Sequence, residues 1–218
     1  MIDFAELGEV IKTRRSVRRF QDKPVPEDLL LKALELATWA PNGGNYQPWR
    51  FLVVSNKDLI NQMADAVKAK TELIASWPEA KQCGEVVERW RKTSAFFRGA
   101  PVCIAVLMSK YSSIADQILR ARGEADAIAR EIRSYRQLGD STLQSVAAAI
   151  TYLVLILHYF DLGTTWMAGP QQAKKEIEKL LGVPADWNFV DLIPVGYPAE
   201  TPKAPPRKVV GDVVQFFR

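Results

Sequence analysis

Residues 141–160 read Ser-Thr-Leu-Gln-Ser-Val-Ala-Ala-Ala-Ile-Thr-Tyr-Leu-Val-Leu-Ile-Leu-His-Tyr-Phe, and no other stretch limits the fold as strongly. Its apolar residues are not confined to one stripe; they run almost all the way round a helix. Such a helix must be enclosed on most sides. The apolar core of the run, Val146 to Phe160, is interrupted by Thr151, Tyr152, His158 and Tyr159. It falls short of the roughly 18 predominantly apolar residues that a membrane span needs. The expectation is a central helix with the rest of the chain packed around it, and no membrane partner.

What packs around it is read from periodicity. Phe4, Leu7, Gly8 and Ile11 predict an opening helix over residues 3–12, and Leu29, Leu30, Ala33, Leu34 and Ala37 an amphipathic one to about Thr38. Pro26-Glu27-Asp28 is a good start for the second, with proline early and acids in the first turn. Short apolar runs predict buried strands at 51–54, 102–107 and 189–195, with a further short strand at 164–167. Residues 58–98 and 112–138 read as helical but weakly patterned, and 171–181 as amphipathic, stopped by Gly182-Val183-Pro184. Helices outnumber strands and the two do not alternate regularly, so the fold class is α+β, a central mixed or antiparallel sheet flanked by helices. The chain reads as a single domain, 1–218. Its last stretch, about 199–218, carries Val209, Val210, Val213, Val214, Phe216 and Phe217 after a proline-rich start. That apolar load predicts an arm packed on another surface.

Composition removes several functions. The chain has one His (His158) and two Cys (Cys83, Cys103). A zinc site takes three or four Cys or His ligands, and these three are scattered. Any Ser-His-Asp or Cys-His site must use His158, which lies among Leu155, Ile156, Leu157 and Tyr159 and reads as a core histidine. Two unconnected thiols make no disulfide framework and suit a reducing compartment. With no apolar leader near the start, a cytoplasmic location is expected. The difficult chemistry of an enzyme so poor in catalytic side chains belongs to something it binds. The net charge of +4 is the balance of 29 basic and 25 acidic residues, mostly mixed along helices, so no nucleic-acid partner is expected.

Two segments depart from the bland pattern. Arg14-Arg15-Ser16-Val17-Arg18-Arg19-Phe20, if extended, alternates faces. Arg14, Ser16 and Arg18 then share one side and Arg15, Val17 and Arg19 the other. Two guanidinium forks and a hydroxyl on one face suit a phosphate; a basic cluster complementing a helix C-terminus is the plainer alternative. Ala40-Pro41-Asn42-Gly43-Gly44-Asn45-Tyr46-Gln47-Pro48-Trp49-Arg50-Phe51 offers glycines for close backbone approach and amides that both donate and accept. The alternative there is an ordinary turn that stops a helix. Neither segment is a GxGxxG or Walker loop.

Taken together, four collinear segments resemble the nitroreductase-like flavoproteins. Arg14–Phe20 is similar to that family's opening signature and Ala40–Phe51 to its second. Thr164-Thr165-Trp166-Met167-Ala168-Gly169-Pro170 resembles its third. Leu192-Ile193-Pro194-Val195-Gly196-Tyr197-Pro198 followed by Pro206-Arg207-Lys208 resembles its closing strand and basic arm. The resemblance implies an intertwined homodimer that binds FMN at the subunit interface. It implies ping-pong, two-electron reduction of a small aromatic acceptor, nitroaromatic or quinone, with NADH or NADPH as donor. By position, Arg14, Arg15, Ser16 and Arg18 hold the phosphate and the pyrimidine edge of the flavin. Pro41, Asn42, Gly43 and Asn45 come from the partner subunit. Ala168 and Gly169 lie beside the ring, and Arg207 with Lys208 closes on the phosphate. Family variants that dehalogenate aromatics or fragment flavin, and a flavin-sequestering protein without turnover, are the alternatives. Residues 58–98 and 110–139 match no motif; their Trp77, Trp90, Phe96, Phe97 and Tyr135 make either a lid or core.

Overall fold

A computed structural model describes residues 3–123 and 125–218. Among these residues four strands form one antiparallel sheet in the order β1-β2-β4-β3: β1 is Trp49–Val54, β2 Val102–Ser109, β3 Gly163–Thr164 and β4 Trp187–Gly196. β2 and β4 are central, and both faces of the sheet are covered. In β2, Val102, Ile104 and Val106 face one core while Cys103, Ala105 and Leu107 face the other. That is why the run Val-Cys-Ile-Ala-Val-Leu has no polar alternation.

The first face carries helices α2 (Glu27–Ala37) and α7 (Ser141–Tyr159). Val146, Ala149, Ile150, Leu153 and Leu157 of α7 are fully buried against Ile104, Ile193 and Val195. By length and composition the helical stretch 127–159 would pass for a membrane span, and in this fold α7 is the spine of the core. The same helix leaves Leu143, Tyr152 and Tyr159 exposed, so one chain encloses it only in part. The other face carries α3 (Lys57–Ala75) and α8 (Lys174–Leu181), with Ile60, Met63, Val67 and Ile177 packed on Leu107, Phe189 and Leu192.

The weakly patterned regions divide into shorter elements. Residues 58–98 become α3 and α4 (Glu85–Thr93) with short 3-10 turns. Residues 112–138 become a pair of helices, α5 (Ile114–Arg122) and α6 (Ala127–Gly139). Of the aromatics read as lid or core, Phe97 is fully buried core, while Trp77 and Tyr135 are exposed. The expected strand at 164–167 is shorter: Thr164 is its last ladder residue, and Met167 makes a separate bridge with Leu192.

The opening helix α1 (Phe4–Thr13) feeds an extended segment, as the alternation predicts. Ser16 bridges Thr164 in parallel and Phe20 bridges Pro198. Val17 N–H donates to Thr164 O (2.9 Å) and Thr165 Oγ1 to Val17 O (2.6 Å). The fit depends on Gly163. A Cβ there would lie 2.8 Å from Val17 Cβ and 2.9 Å from both its methyl carbons, and the stiff β-branched side chain cannot turn away. Gly163→Ala is therefore expected to lose about 1–3 kcal/mol, the usual cost of overpacking. Urea unfolding measures it, and a loss below about 0.5 kcal/mol, the scale of a neutral surface change, would show that the segment moves freely.

Candidate cofactor site

The Arg14–Arg19 segment sorts its side chains by face. On one side, Arg15 Nη1 donates to Lys12 O (2.5 Å) and Arg14 O (2.8 Å). That is the helix C-terminal role weighed as the alternative, and it applies to this arginine. Val17 is buried. Arg19 Nε lies 3.5 Å from Glu200 Oε2. Glu200 also fixes the strand, its Oε1 accepting from Arg18 N–H (2.6 Å) and Arg19 N–H (3.1 Å).

On the other side, Arg14, Ser16 and Arg18 have no side-chain hydrogen bond or ion pair among the described residues; Arg18 lies 5.9 Å over the Phe96 ring. Arg14 is half-buried, and its burial together with the charges of Arg15 and Arg207 pulls its pKa below the ordinary value. Cations so crowded are relieved by an anion. Fork-shaped donors beside a free hydroxyl suit the oxygens of a phosphate, so the residues present fit the FMN phosphate. Arg207 stands in this field, and Lys208 beside it is exposed.

Ala168 and Gly169 follow the Met167–Leu192 bridge, in which Met167 N–H donates to Leu192 O (3.0 Å) and Leu192 N–H to Met167 O (2.9 Å). Both are exposed, and a Cβ at Gly169 would meet nothing within 4 Å. They open a short 3-10 helix, Gly169–Ala173, whose first N–H groups lack intrahelical acceptors. The chain reaches them from Thr164 and Thr165, which are bonded to the Arg segment, so these two parts of the predicted site converge within one chain.

The Pro41–Asn45 loop does not join them. Gly43 N–H donates to Ser145 Oγ (3.2 Å) near the start of α7, whereas Thr13, beside Arg14, contacts His158 near its end. At 1.5 Å per residue those anchors are roughly 20 Å apart. Asn42 turns inward: its Nδ2 donates to Ala40 O (3.2 Å) and its Oδ1 accepts from Gln47 N–H (2.9 Å). The amide serves the turn. Gly44, Asn45 and Gln47 all have positive φ, and the loop is braced by Tyr111, whose ring lies 3.3 Å from where a Cβ on Gly43 would stand. Tyr111 also packs against Tyr46, with ring centroids 5.2 Å apart and planes tilted by 40°.

Three residues near these segments carry no motif. Tyr111 is one. His158 is half-buried and not enclosed in the core, with Nε2 2.9 Å from Thr13 Oγ1. Its partner is 145 positions away, so nothing local distinguishes it from a packed histidine. Asp191, on β4, is buried; burial pushes its carboxyl up to about 6, against the hydrogen bond from the Trp166 side chain. Cys103 is also buried, its thiol pushed up to about 12 by burial, which suits a packing role.

The chain resembles known proteins along most of its length. The family profile described as "Nitroreductase family" matches residues 11–197. An NADH dehydrogenase of Thermus thermophilus is 26% identical over 198 residues, covering 86% of this chain and 84% of that protein. Among solved structures, a BluB-like flavoprotein from Clostridium difficile 630 is similar with a TM-score of 0.84 at 26% identity, over 97% of this chain and 99% of that one. Iodotyrosine deiodinase bound to FMN and 3-iodo-L-tyrosine is similar with a TM-score of 0.72 at 25% identity, again over 97% and 99%. With four ordered signatures, a two-faced α+β core and a family match across most of its length, the chain belongs to the nitroreductase family.

Proposed function

We propose that the chain is an FMN-dependent NAD(P)H oxidoreductase that reduces a small aromatic acceptor, a nitroaromatic or quinone, by two electrons in a ping-pong cycle. The observation that carries this reading is the Arg14–Ser16–Arg18 face of the segment, whose side-chain donors have no acceptor among the described residues while Arg207 adds to the same field. Similarity to an FMN-bound deiodinase and to an NADH dehydrogenase supports the cofactor and the donor.

Arg14, Ser16 and Arg18 bind the phosphate and the pyrimidine edge in this reading, with Arg15 holding the C-terminus of α1 in place behind them. Arg207 and Lys208 close from the arm. Ala168 and Gly169 keep the ring edge close to backbone, where no side chain obstructs it. Bound FMN supplies hydride chemistry at N5, between nicotinamide and acceptor. No side-chain nucleophile is needed, in keeping with a chain that has one histidine.

The second half of the site comes from a partner subunit. Arg14 and the Pro41–Asn45 loop lie at opposite ends of α7, so a two-fold axis that sets two α7 helices antiparallel brings one chain's arginines to the other's loop. The faces such a dimer covers are apolar: Leu31, Leu36 and Trp39 around α2, Phe4 and Ile11 on α1, and Val210, Phe216 and Phe217 of the arm are all exposed in one chain. The arm, tethered by Glu200 and by Ala199 N–H donating to Arg19 O (2.9 Å), packs on the partner. Two free thiols, Cys83 and Cys103, fit a cytoplasmic location.

Likeness to the deiodinase favours one second reading, reductive removal of halogen from an aromatic. One anaerobic experiment separates the possibilities. The purified protein should be yellow and dimeric, and NADH or NADPH should bleach it. Reoxidation by a nitroaromatic or quinone supports the first reading, and iodide release from 3-iodo-L-tyrosine the second. Colour that survives both nicotinamides indicates flavin sequestration, and a colourless protein that takes up no FMN removes all three.

A further inference from the structure

The field around Arg14 reaches one residue that the cofactor assignment leaves unused. His158 is the only histidine in the chain. Thr13 has a single hydroxyl hydrogen, and its Oγ1 donates to Glu9 O (2.7 Å). The contact at 2.9 Å with His158 Nε2 must then run the other way, from Nε2–H to the Thr13 oxygen. This fixes the tautomer and leaves Nδ1 as the site that can take a proton. The imidazole thereby holds the last turn of α1, from which Arg14 emerges.

The charges facing the ring come from each neighbouring segment. Arg14 and Arg15, beyond α1, oppose a charged imidazole, as does partial burial; Asp161, in the turn after α7, favours one. Arg207 of the arm adds positive charge at Arg14. With these cations uncompensated, the net effect holds His158 below its ordinary pKa, with burial the largest cause. A dianion placed on Arg14 and Arg207 offsets their two positive charges and so removes Arg14's share of the opposition to a charged imidazole, while Asp161 continues to favour one.

We propose that His158 is the proton-coupled positioning residue of the cofactor site: Nδ1 takes a proton from solvent when a phosphate monoester settles against Arg14 and Arg207, so that phosphate binding and imidazole protonation reinforce each other. The inference rests on the placement of the FMN phosphate at Arg14. It goes further in making cofactor retention dependent on pH through a residue outside the family signatures, and it favours FMN over riboflavin most strongly below neutral pH.

A chain with one histidine makes the test direct. The imidazole C–H resonances of His158 are titrated by NMR in apoprotein, with riboflavin and with FMN. The apo midpoint should lie below 6.5, stay there with riboflavin, and rise by at least about one unit with FMN. By linkage that rise is a tenfold strengthening of FMN binding as pH falls through the two midpoints. The FMN phosphate titrates in the same range, so affinity is read as the ratio of wild type to His158→Gln. That variant keeps an N–H for Thr13 but cannot titrate. The ratio should shift about tenfold in favour of wild type between pH 7.5 and 5.5. A histidine midpoint unmoved by bound FMN, or a ratio constant with pH, overturns the role of His158 and leaves the phosphate assignment standing. If FMN does not bind at all, both fall.

Discussion

Alanine at both Arg14 and Arg18 is expected to weaken FMN binding by about 3–6 kcal/mol, taking about 1.5–3 kcal/mol for each hydrogen bond to a charged group. That is at least a hundredfold in Kd, enough to yield colourless protein after gel filtration. Equilibrium titration of apoprotein, followed by flavin fluorescence, measures it. Riboflavin, which has no phosphate, should lose much less. Arg15→Ala is the informative control, because its guanidinium is held by the carbonyls of Lys12 and Arg14. It should lower the melting temperature more than it lowers the preference for FMN over riboflavin. Arg14 and Arg15 differ by one position in sequence and by the face of an extended chain in structure. Unchanged FMN retention in the double variant would refute the phosphate assignment.

That contrast is partly legible in the sequence. Period-two alternation divides Arg14–Arg19 into two faces: Arg15 and Arg19 find polar partners and Val17 the core, while Arg14, Ser16 and Arg18 have no side-chain hydrogen bond or ion pair among the described residues. The all-round apolarity of residues 146–157 identifies the spine of the core, and continuous apolar runs identify β1, β2 and β4, because strands covered on both faces lose polar alternation. Relations between distant residues left no trace. The bond from His158 to Thr13 depends on how α1 crosses the end of α7. The placement of the Pro41–Asn45 loop at the opposite end of α7 from Arg14 depends on Ser145 holding Gly43. In the second signature, the turn with positive φ at Gly44, Asn45 and Gln47 engages the Asn42 amide in hydrogen bonds to Ala40 and Gln47, which residue type alone does not show.

Asp191→Asn is expected to stabilise the protein near neutral pH. Asp191 sits opposite Val106 on the central pair of strands, 4% exposed, with the Trp166 side chain as its hydrogen-bond partner. Burial pushes its carboxyl up to about 6, against about 3.9 in an unfolded chain. Below about pH 4 both states are protonated and the residue costs nothing. Between about pH 4 and 6 the unfolded chain releases a proton that the folded chain retains, so stability falls as pH rises. Above the folded value the cost is complete, on the order of 3 kcal/mol. Asparagine keeps the shape and an acceptor for the indole while removing the charge. Its amide hydrogens recover only part of their solvation, so the gain at pH 7.5 should be about 1–3 kcal/mol, vanishing near pH 4. Urea unfolding of both proteins at the two pH values measures it, and an equal difference at both would show that ionisation is not the cause. Trp166 and Asp191 each adjoin the Met167–Leu192 bridge that carries Ala168 to the proposed ring edge. If the stabilised variant still bleaches with NAD(P)H but no longer passes electrons to acceptor, the neutral-pH cost is borne for the acceptor side of the reaction, an exchange of stability for function. If both half-reactions survive, the carboxyl is only an expensive neighbour of the site.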